Sequence, residues 1–252
     1  MTGNPPSEAD CDTAVARLVA KYRARDLVSD EEEAVLRGLF SEVREAGPSR
    51  TLIRAHATLS ESTLLIDGFI CRYKDLADGQ RQILELHVPG DFLDLHSFLL
   101  KRLDHNVGTL TPVRVATVPH DRLKDVTERY PHLARLLWLS TLLDAALHRE
   151  RILSVGRRSA LSRIAHLFCE LRLRLEIVGL TDGDRFALPI TQADIGDASG
   201  LTPVHVNRTL RKLRDEELMT FRGGEVVIHD WERLQLVAEF STDFLYLERR
   251  PR

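Results

Sequence analysis

Asn207, Arg208, Arg211, Lys212 and Arg214 crowd one short stretch of the chain, and no carboxylate interrupts it between Leu201 and Arg214. Guanidinium and amide groups read base edges through paired hydrogen bonds, and cations are what phosphates attract. A run of charge is more often a solvated helix face, so the elements that present it decide its meaning. Thr191 is a suitable N-cap for a helix over residues 192–199, and Gly200 supplies the left-handed backbone of a tight helix stop. Thr202 caps a second helix over 203–217, with Pro203 at its first position, where a missing N–H costs nothing. Two helices joined by Gly-Leu-Thr cross steeply. Ile195, Leu201, Val206, Leu210 and Leu213 then share one small core, which leaves Pro203, Val204, Asn207, Arg208 and Arg211 on the opposite face. That is the pattern of a helix-turn-helix whose second helix enters the major groove.

Phe221-Arg222 and Glu225-Val226-Val227-Ile228 flank Gly223-Gly224, a two-glycine turn whose backbone matches the twist of paired strands. Such a hairpin beside the second helix forms a wing, which brings Arg222 near a phosphate. Arg208 is the expected reader of a guanine, in bidentate fashion, with Asn207 or His205 toward neighbouring bases or phosphates. Thr191, Gln192 and Thr202 are expected to position the backbone, with Arg211 on the same face.

The remaining composition sets bounds. At 252 residues the chain can bury a substantial core in one or two domains. Its formal net charge of -3 neither requires nor excludes nucleic acid, because an acidic half can offset a basic helix. Cys11, Cys71 and Cys169 are far apart and lack zinc or cluster spacing, so reduced thiols are expected. No apolar run approaches a bilayer span, and Met1-Thr2-Gly3-Asn4-Pro5-Pro6 lacks the order of a signal peptide, so a cytoplasmic protein without membrane contact is expected. There is no nucleophile elbow, phosphate loop or His-Glu-x-x-His run. Neither enzymatic activity nor a metal nor a cofactor is expected.

Taken in order, the chain opens with a polar tail expected to fray, then a helix over 12–25 with Val15, Leu18, Val19 and Tyr22 on one side. Ser29 and Glu32 form a capping-box pair for a second helix carrying Val35, Leu36, Leu39 and Phe40, and Gly47-Pro48 ends this helical lead-in. From Thr51 to Val118, short runs rich in Val, Ile, Leu and Thr alternate with turn signals, which predicts an all-β barrel or roll. Residues 69–73 and 82–86 make a natural hairpin pair. Asp121 is expected to cap a short helix, followed by a long one over 131–155. Leu136, Leu139, Leu143, Ala146 and Leu153 on that helix form a seam suited to pairing with its twin. Leu133, Leu137 and Leu147 make a second stripe for packing on its own chain. Gly156-Arg157-Arg158-Ser159 is the expected hinge. A helix over 159–178, a brief strand over 186–190 and a last helix over 231–240 complete the reading.

Thr191-Gln192-Ala193-Asp194-Ile195-Gly196, Gly200-Leu201-Thr202, Val206-Asn207-Arg208-Thr209-Leu210 and Leu213 together resemble the winged helix-turn-helix of the Crp/Fnr superfamily of bacterial transcription regulators. Val88-Pro89-Gly90-Asp91-Phe92 is similar to the Gly-Asp-Phe turn of cyclic-nucleotide-binding β-rolls. The resemblance implies an α+β protein with a jelly-roll-like β-roll sensor at 47–130, a dimerisation helix and hinge at 131–157 and a winged helix-turn-helix domain at 158–252. A helical extension at 1–46 precedes them. It further implies a homodimer on near-palindromic double-stranded DNA, with RNA polymerase as a further partner.

In cyclic-AMP-binding members a Gly-Glu pair follows the turn, and an Arg-Ser or Arg-Thr pair grips the cyclic phosphate. Here Asp94 and Leu95 replace the first pair, and Asp104-His105-Asn106-Val107 stands in place of the second. Asp94, Leu95, His96, His105 and Asn106 thus mark a degenerate effector pocket for an unknown small molecule. The scattered His87, His96, His105 and His120 lack ligand spacing for a metal or haem, and Cys11 stands without the neighbours of an iron–sulfur cluster. Many members carry a polar pair where Pro203-Val204 stand. Val204 touches a thymine methyl but accepts nothing from cytosine, so a departure from the family's usual site is expected. Two other readings are a cyclic-nucleotide-responsive activator and a ligand- or partner-binding β-roll protein whose winged helix contacts protein.

Overall fold

The computed structural model describes residues 3–251. The hydroxyl of Ser7 accepts from Asp10 N while the Asp10 carboxylate accepts from Ser7 N, a capping box that starts α1 (Glu8–Arg23) earlier than its apolar period suggests. The lead-in expected to fray is ordered, since β1 (Gly3–Asn4) pairs with β2 (Glu42–Ala46). Helix α2 (Asp30–Arg37) carries the anticipated Ser29–Glu32 box; Leu39 and Phe40 lie just beyond it and are buried. Strand β2 falls in a stretch read as helical lead-in. Its five residues are too few to show a period of two, and antiparallel pairing with β8 (Val113–Pro119) makes it a strand.

Between them run β3 (Thr51–Ile53), β4 (Glu61–Asp67), β5 (Ile70–Asp75), β6 (Arg81–His87), the short helix α3 (Ser97–Leu100) and β7 (Asn106–Thr109). They form two four-stranded sheets, β1-β2-β8-β4 and β3-β7-β5-β6. The expected β5–β6 hairpin is present, with Cys71 opposite Leu86 and Arg72 opposite Glu85. Leu65, Ile70, Leu93, Val107, Val113 and Val115 fill the roll. Leu64, Ile66, Ala116 and Val118 pack outward against helices. This alternation along β4 and β8 is why each strand buries both faces.

Helix α4 (His120–Arg129) begins at His120 with Pro119 at the cap position, so Asp121 sits in the first turn rather than capping it. Helix α5 (Pro131–Arg157) runs straight through Gly156, and the break before α6 (Ala160–Ile177) narrows to Arg158 and Ser159. The expected pairing seam on α5 is corrected. Leu136, Leu139 and Ala146 are buried within the same chain and Leu143 packs on the same core, which also takes in Leu133 and Leu137. Of the five seam residues only Leu153 is exposed. The free apolar face carries Trp138, Leu142 and Ile152, 65%, 50% and 73% exposed, with Ala145 and Arg149 completing a four-three-four-three spacing. The helix has apolar residues all round, so periodicity by itself selects no face.

The C-terminal unit contains β9 (Thr181–Asp182), β10 (Arg185–Ala187), α7 (Gln192–Ser199), α8 (Pro203–Asp215), β11 (Met219–Arg222), β12 (Glu225–Ile228) and α9 (Trp231–Ala238). The wing strands extend into a sheet of order β11-β12-β10-β9. One apolar core joins the two halves of the molecule. Cys71, Ile83, Leu86 and Val88 of the roll belong to the same cluster as Phe168, Leu171, Ile195, Val206 and Leu213.

Candidate nucleic-acid interface

The Thr191 hydroxyl accepts from Asp194 N, and Asp194 Oδ2 accepts from Thr191 N at 2.9 Å, closing the capping box at the start of α7. Gly200 ends that helix at φ +63°, a conformation open to glycine at little cost. Gly196 is equally constrained, since a Cβ there would stand 2.5 Å from the Leu201 carbonyl oxygen. The turn is therefore as tight as the spacing predicted. Thr202 caps α8 through His205 N, and Pro203 occupies the first turn. Ile195, Val206 and Leu213 are fully buried, with Leu201 and Leu210 at the rim of the same core.

The opposite face is open. Thr202, Pro203, Val204, His205, Asn207, Arg208 and Arg211 are all exposed, as are Thr191 at the start of α7 and Arg222 on the wing; Gln192 is half-buried. Asn207 Nδ2 donates to Gln192 Oε1 at 3.3 Å, which links the two helices at their outer edge. Lys212 and Arg214 have carboxylate partners in Glu216 and Asp215, at 3.6 and 3.0 Å. Among the described residues no carboxylate pairs with Arg208 or Arg211, so their charge is available to a ligand. The wing turn has Gly223 at φ +62° and Gly224 at φ +78°, the two positive angles a tight hairpin of this twist needs. Two crossed helices, an open polar face with two uncommitted guanidiniums and a flanking wing are the parts that a winged helix-turn-helix uses to read DNA.

Residues 162–237 match the family model of the Crp-like helix-turn-helix domain, and residues 43–130 match that of the cyclic nucleotide-binding domain. The nitrogen fixation regulation protein FixK of Bradyrhizobium diazoefficiens is 30% identical over 69% of this chain and 72% of its own. The transcriptional activatory protein AadR of Rhodopseudomonas palustris is 31% identical over 76% of this chain and 79% of its own. The chain belongs to the Crp/Fnr family. It is a DNA-binding regulator of transcription. Among solved structures, FixK2 from Bradyrhizobium japonicum superposes with a TM-score of 0.72 at 26% identity, over 79% of this chain and 98% of that one.

The β-roll half of this Crp/Fnr protein holds a cleft of about 820 Å³ between β5, β6, the α3 region and α5, lined by Ile83, Leu84, Leu100, His96, His105 and His148 among others. Of the five residues expected to form an effector pocket, it gathers only His96 and His105, whose rings lie 5.5 Å apart. Asp94 points elsewhere, its Oδ1 accepting from Thr63 N beside a separate hollow under β3. Leu95 is buried in the helix-facing core. Asn106 accepts from Ala55 N and donates to Asp75, which makes it a loop brace. Three adjacent residues cannot all face one cavity where strand gives way to a turn, and that is what separates Asp94, Leu95 and His96. Burial pushes His96 down to about 3 and lowers His105, so both imidazoles are neutral near physiological pH.

Arg72 was not singled out by the sequence, yet it anchors the cleft. It is 2% exposed and donates to Glu85 at 2.8 Å, to Asp144 of α5 at 2.9 Å and to the Leu93 carbonyl at 2.8 Å. Opposite charges at facing positions next to the apolar pair Cys71 and Leu86 were the available signal. Cys71 and Cys169 are buried, and burial drives the Cys71 thiol up to about 12 and the Cys169 thiol higher. Among the described residues no group of three or more His, Cys, Asp or Glu side chains is placed to hold a metal ion, and no helix is long and apolar enough to cross a membrane.

Proposed function

We propose that the protein acts in the cytoplasm as a homodimer that regulates transcription from a near-palindromic DNA site, and that it has no enzymatic role. The observation that carries this reading is the open face of α8, where Arg208 and Arg211 stand uncommitted beside Asn207 and His205. Arg208 is the guanine reader, Val204 meets a thymine methyl, and Thr191, Gln192, Thr202, Pro203 and Arg222 carry backbone contacts. The exposure of Trp138, Leu142 and Ile152 on α5 supports two-fold pairing through that face, and a two-fold dimer reads two half-sites in successive major grooves.

The cleft favours an effector other than a cyclic nucleotide. A cyclic phosphate needs an uncommitted cation, whereas Arg72 is held by Glu85 and Asp144, Lys74 by Asp104 and Arg151 by Glu170. Selection of bound sites from a random DNA pool, with purified protein and no added small molecule, tests the reading. An enriched inverted repeat is expected. Enrichment of single half-sites only, or binding insensitive to salt, would overturn it, because phosphate contacts release counterions.

A further inference from the structure

The β5–β6 hairpin of the sensor reaches α7 directly. Arg81, the first residue of β6, donates through Nη2 to Asp194 Oδ1 at 2.6 Å and through Nε to Asp197 Oδ2 at 2.8 Å. Its neighbour Gln82 donates to the Asp197 carbonyl at 2.7 Å. Asp194 thereby serves two purposes with its two oxygens: Oδ2 closes the capping box on Thr191 and Oδ1 is held by Arg81. Beneath these bonds the roll residues Cys71 and Ile83 share an apolar core with Ile195 and Ala198 of α7. The far end of α7 is seated as well. Arg163 of α6 donates to the Ser199 carbonyl at 2.7 Å, and Gly200 lies against Val155 near the end of α5.

Helix α7 is thus fixed at one end to the sensor hairpin and at the other to the helices that leave the dimer seam. Helix α8 follows α7 through a three-residue turn too tight to flex, given the Gly196 approach to Leu201. These contacts run to buried or half-buried residues of α7, whereas Thr191 and the open face of α8 stay exposed, so they seat the reader without covering it. A dimer on an inverted repeat must hold its two reading helices about one helical turn apart. Whatever seats α7 sets that separation.

We infer that Arg81, with Gln82, determines the half-site spacing that this protein accepts, although neither residue touches DNA. Arg81 is a positioning residue: it seats the reader against the sensor and so removes conformations in which the two α8 helices fall out of register with the groove. The inference rests on the dimeric reading proposed above. Loss of the contact frees each reader to swing, which weakens the optimal complex and lets repeats of other spacing compete.

The experiment measures binding of the full-length dimer to inverted repeats built from its selected half-site, with the central spacer lengthened or shortened by single base pairs. Arg81→Glu and, as a milder change, Asp197→Asn are compared with the parent, with melting and sedimentation checked for each. The parent is expected to prefer one spacer. Arg81→Glu is expected to reduce that preference by about three- to tenfold, in keeping with a partly exposed ion pair lost in each half, while the half-site sequence selected stays the same. Arg81→Glu combined with Asp197→Arg restores the spacer preference. An unchanged spacer preference in folded Arg81→Glu, or in Asp197→Asn should the former fail to fold, overturns the inference. A parent that selects no inverted repeat overturns the dimeric reading instead, before any variant is compared.

Discussion

The role proposed for Arg208 rests on the lack of a carboxylate partner among the described residues. Lys212 and Arg214 neutralise their charge on Glu216 and Asp215, while Arg208 faces solvent one turn earlier on α8. Arg208→Ala is expected to remove about 1–3 kcal/mol of discrimination at one base pair of each half-site. Competition binding with single-base variants of the site checks this, and a uniform loss across all variants would mark Arg208 as a phosphate contact. Asp94 shows what the same lack of partners does when the group is buried. Burial raises its carboxyl from 3.8 to about 7, only partly offset by the Thr63 N–H, and its Oδ2 has no partner. The folded state therefore holds a proton that the unfolded chain releases, so this contribution to stability is full below the unfolded value and is lost as pH rises through about 7. Asp94→Asn, which keeps the acceptor for Thr63, is expected to flatten the pH dependence of unfolding free energy between about pH 4 and 7 and to stabilise the protein at about pH 8. Urea denaturation across that range decides it, and a parental slope in the variant would remove Asp94 as the cause.

At the scale of elements, α5 carries apolar residues on every side and commits only some of them within the chain. Leu133, Leu136, Leu137 and Leu139 lie in one core with residues of α1, α4 and the roll, whereas Trp138, Leu142 and Ile152 meet solvent. Ile152→Asp is expected to yield folded monomers in sedimentation, since a carboxylate on each copy would meet its twin in a desolvated seam. Leu136→Ala is expected to lower stability by about 2–5 kcal/mol and to leave the dimer intact. The reverse pattern would return the seam to the buried stripe. The sequence supplied the helix and both of the stripes that turned out to be buried. It concealed the free one because Ala145 and Arg149 dilute the spacing of Trp138, Leu142 and Ile152. The cleft fared similarly: His96 and His105 were named among five residues of one pocket, whereas Arg72 and His148 join them only through the approach of α5.

For the whole molecule, the chain beyond α9 returns from the DNA-binding unit to the first helix. Phe240 and Phe244 pack on His166, with centroids 5.0 and 5.6 Å away, and Leu245 is buried and lines a small cavity together with Leu18, Tyr22, Leu143 and Leu147. The Leu245 carbonyl accepts from Arg25 Nε, and Arg250 N donates to the Arg25 carbonyl, both at 2.9 Å. Helix α9 stays with α6, and the tail after it makes the return to α1. Leu245→Ala is expected to cost about 2–5 kcal/mol and to speed amide exchange in α1 as well as in the tail. Faster exchange confined to the tail would show that the strap carries no load between the two halves.

The features that sequence alone determined are those settled within a few residues. Thr191 with Asp194, Gly200, Thr202 with Pro203, and Gly223-Gly224 each act on backbone groups close by, so their spacing was enough to place the helix-turn-helix and its wing. Tertiary structure alone decided which face of α5 is free, where Asp94 points, and how the reader is seated. Arg81 meets Asp194 and Asp197 across 113 and 116 positions of chain. No local period records such a contact, because it exists only once two separately folded surfaces have buried their apolar residues against each other.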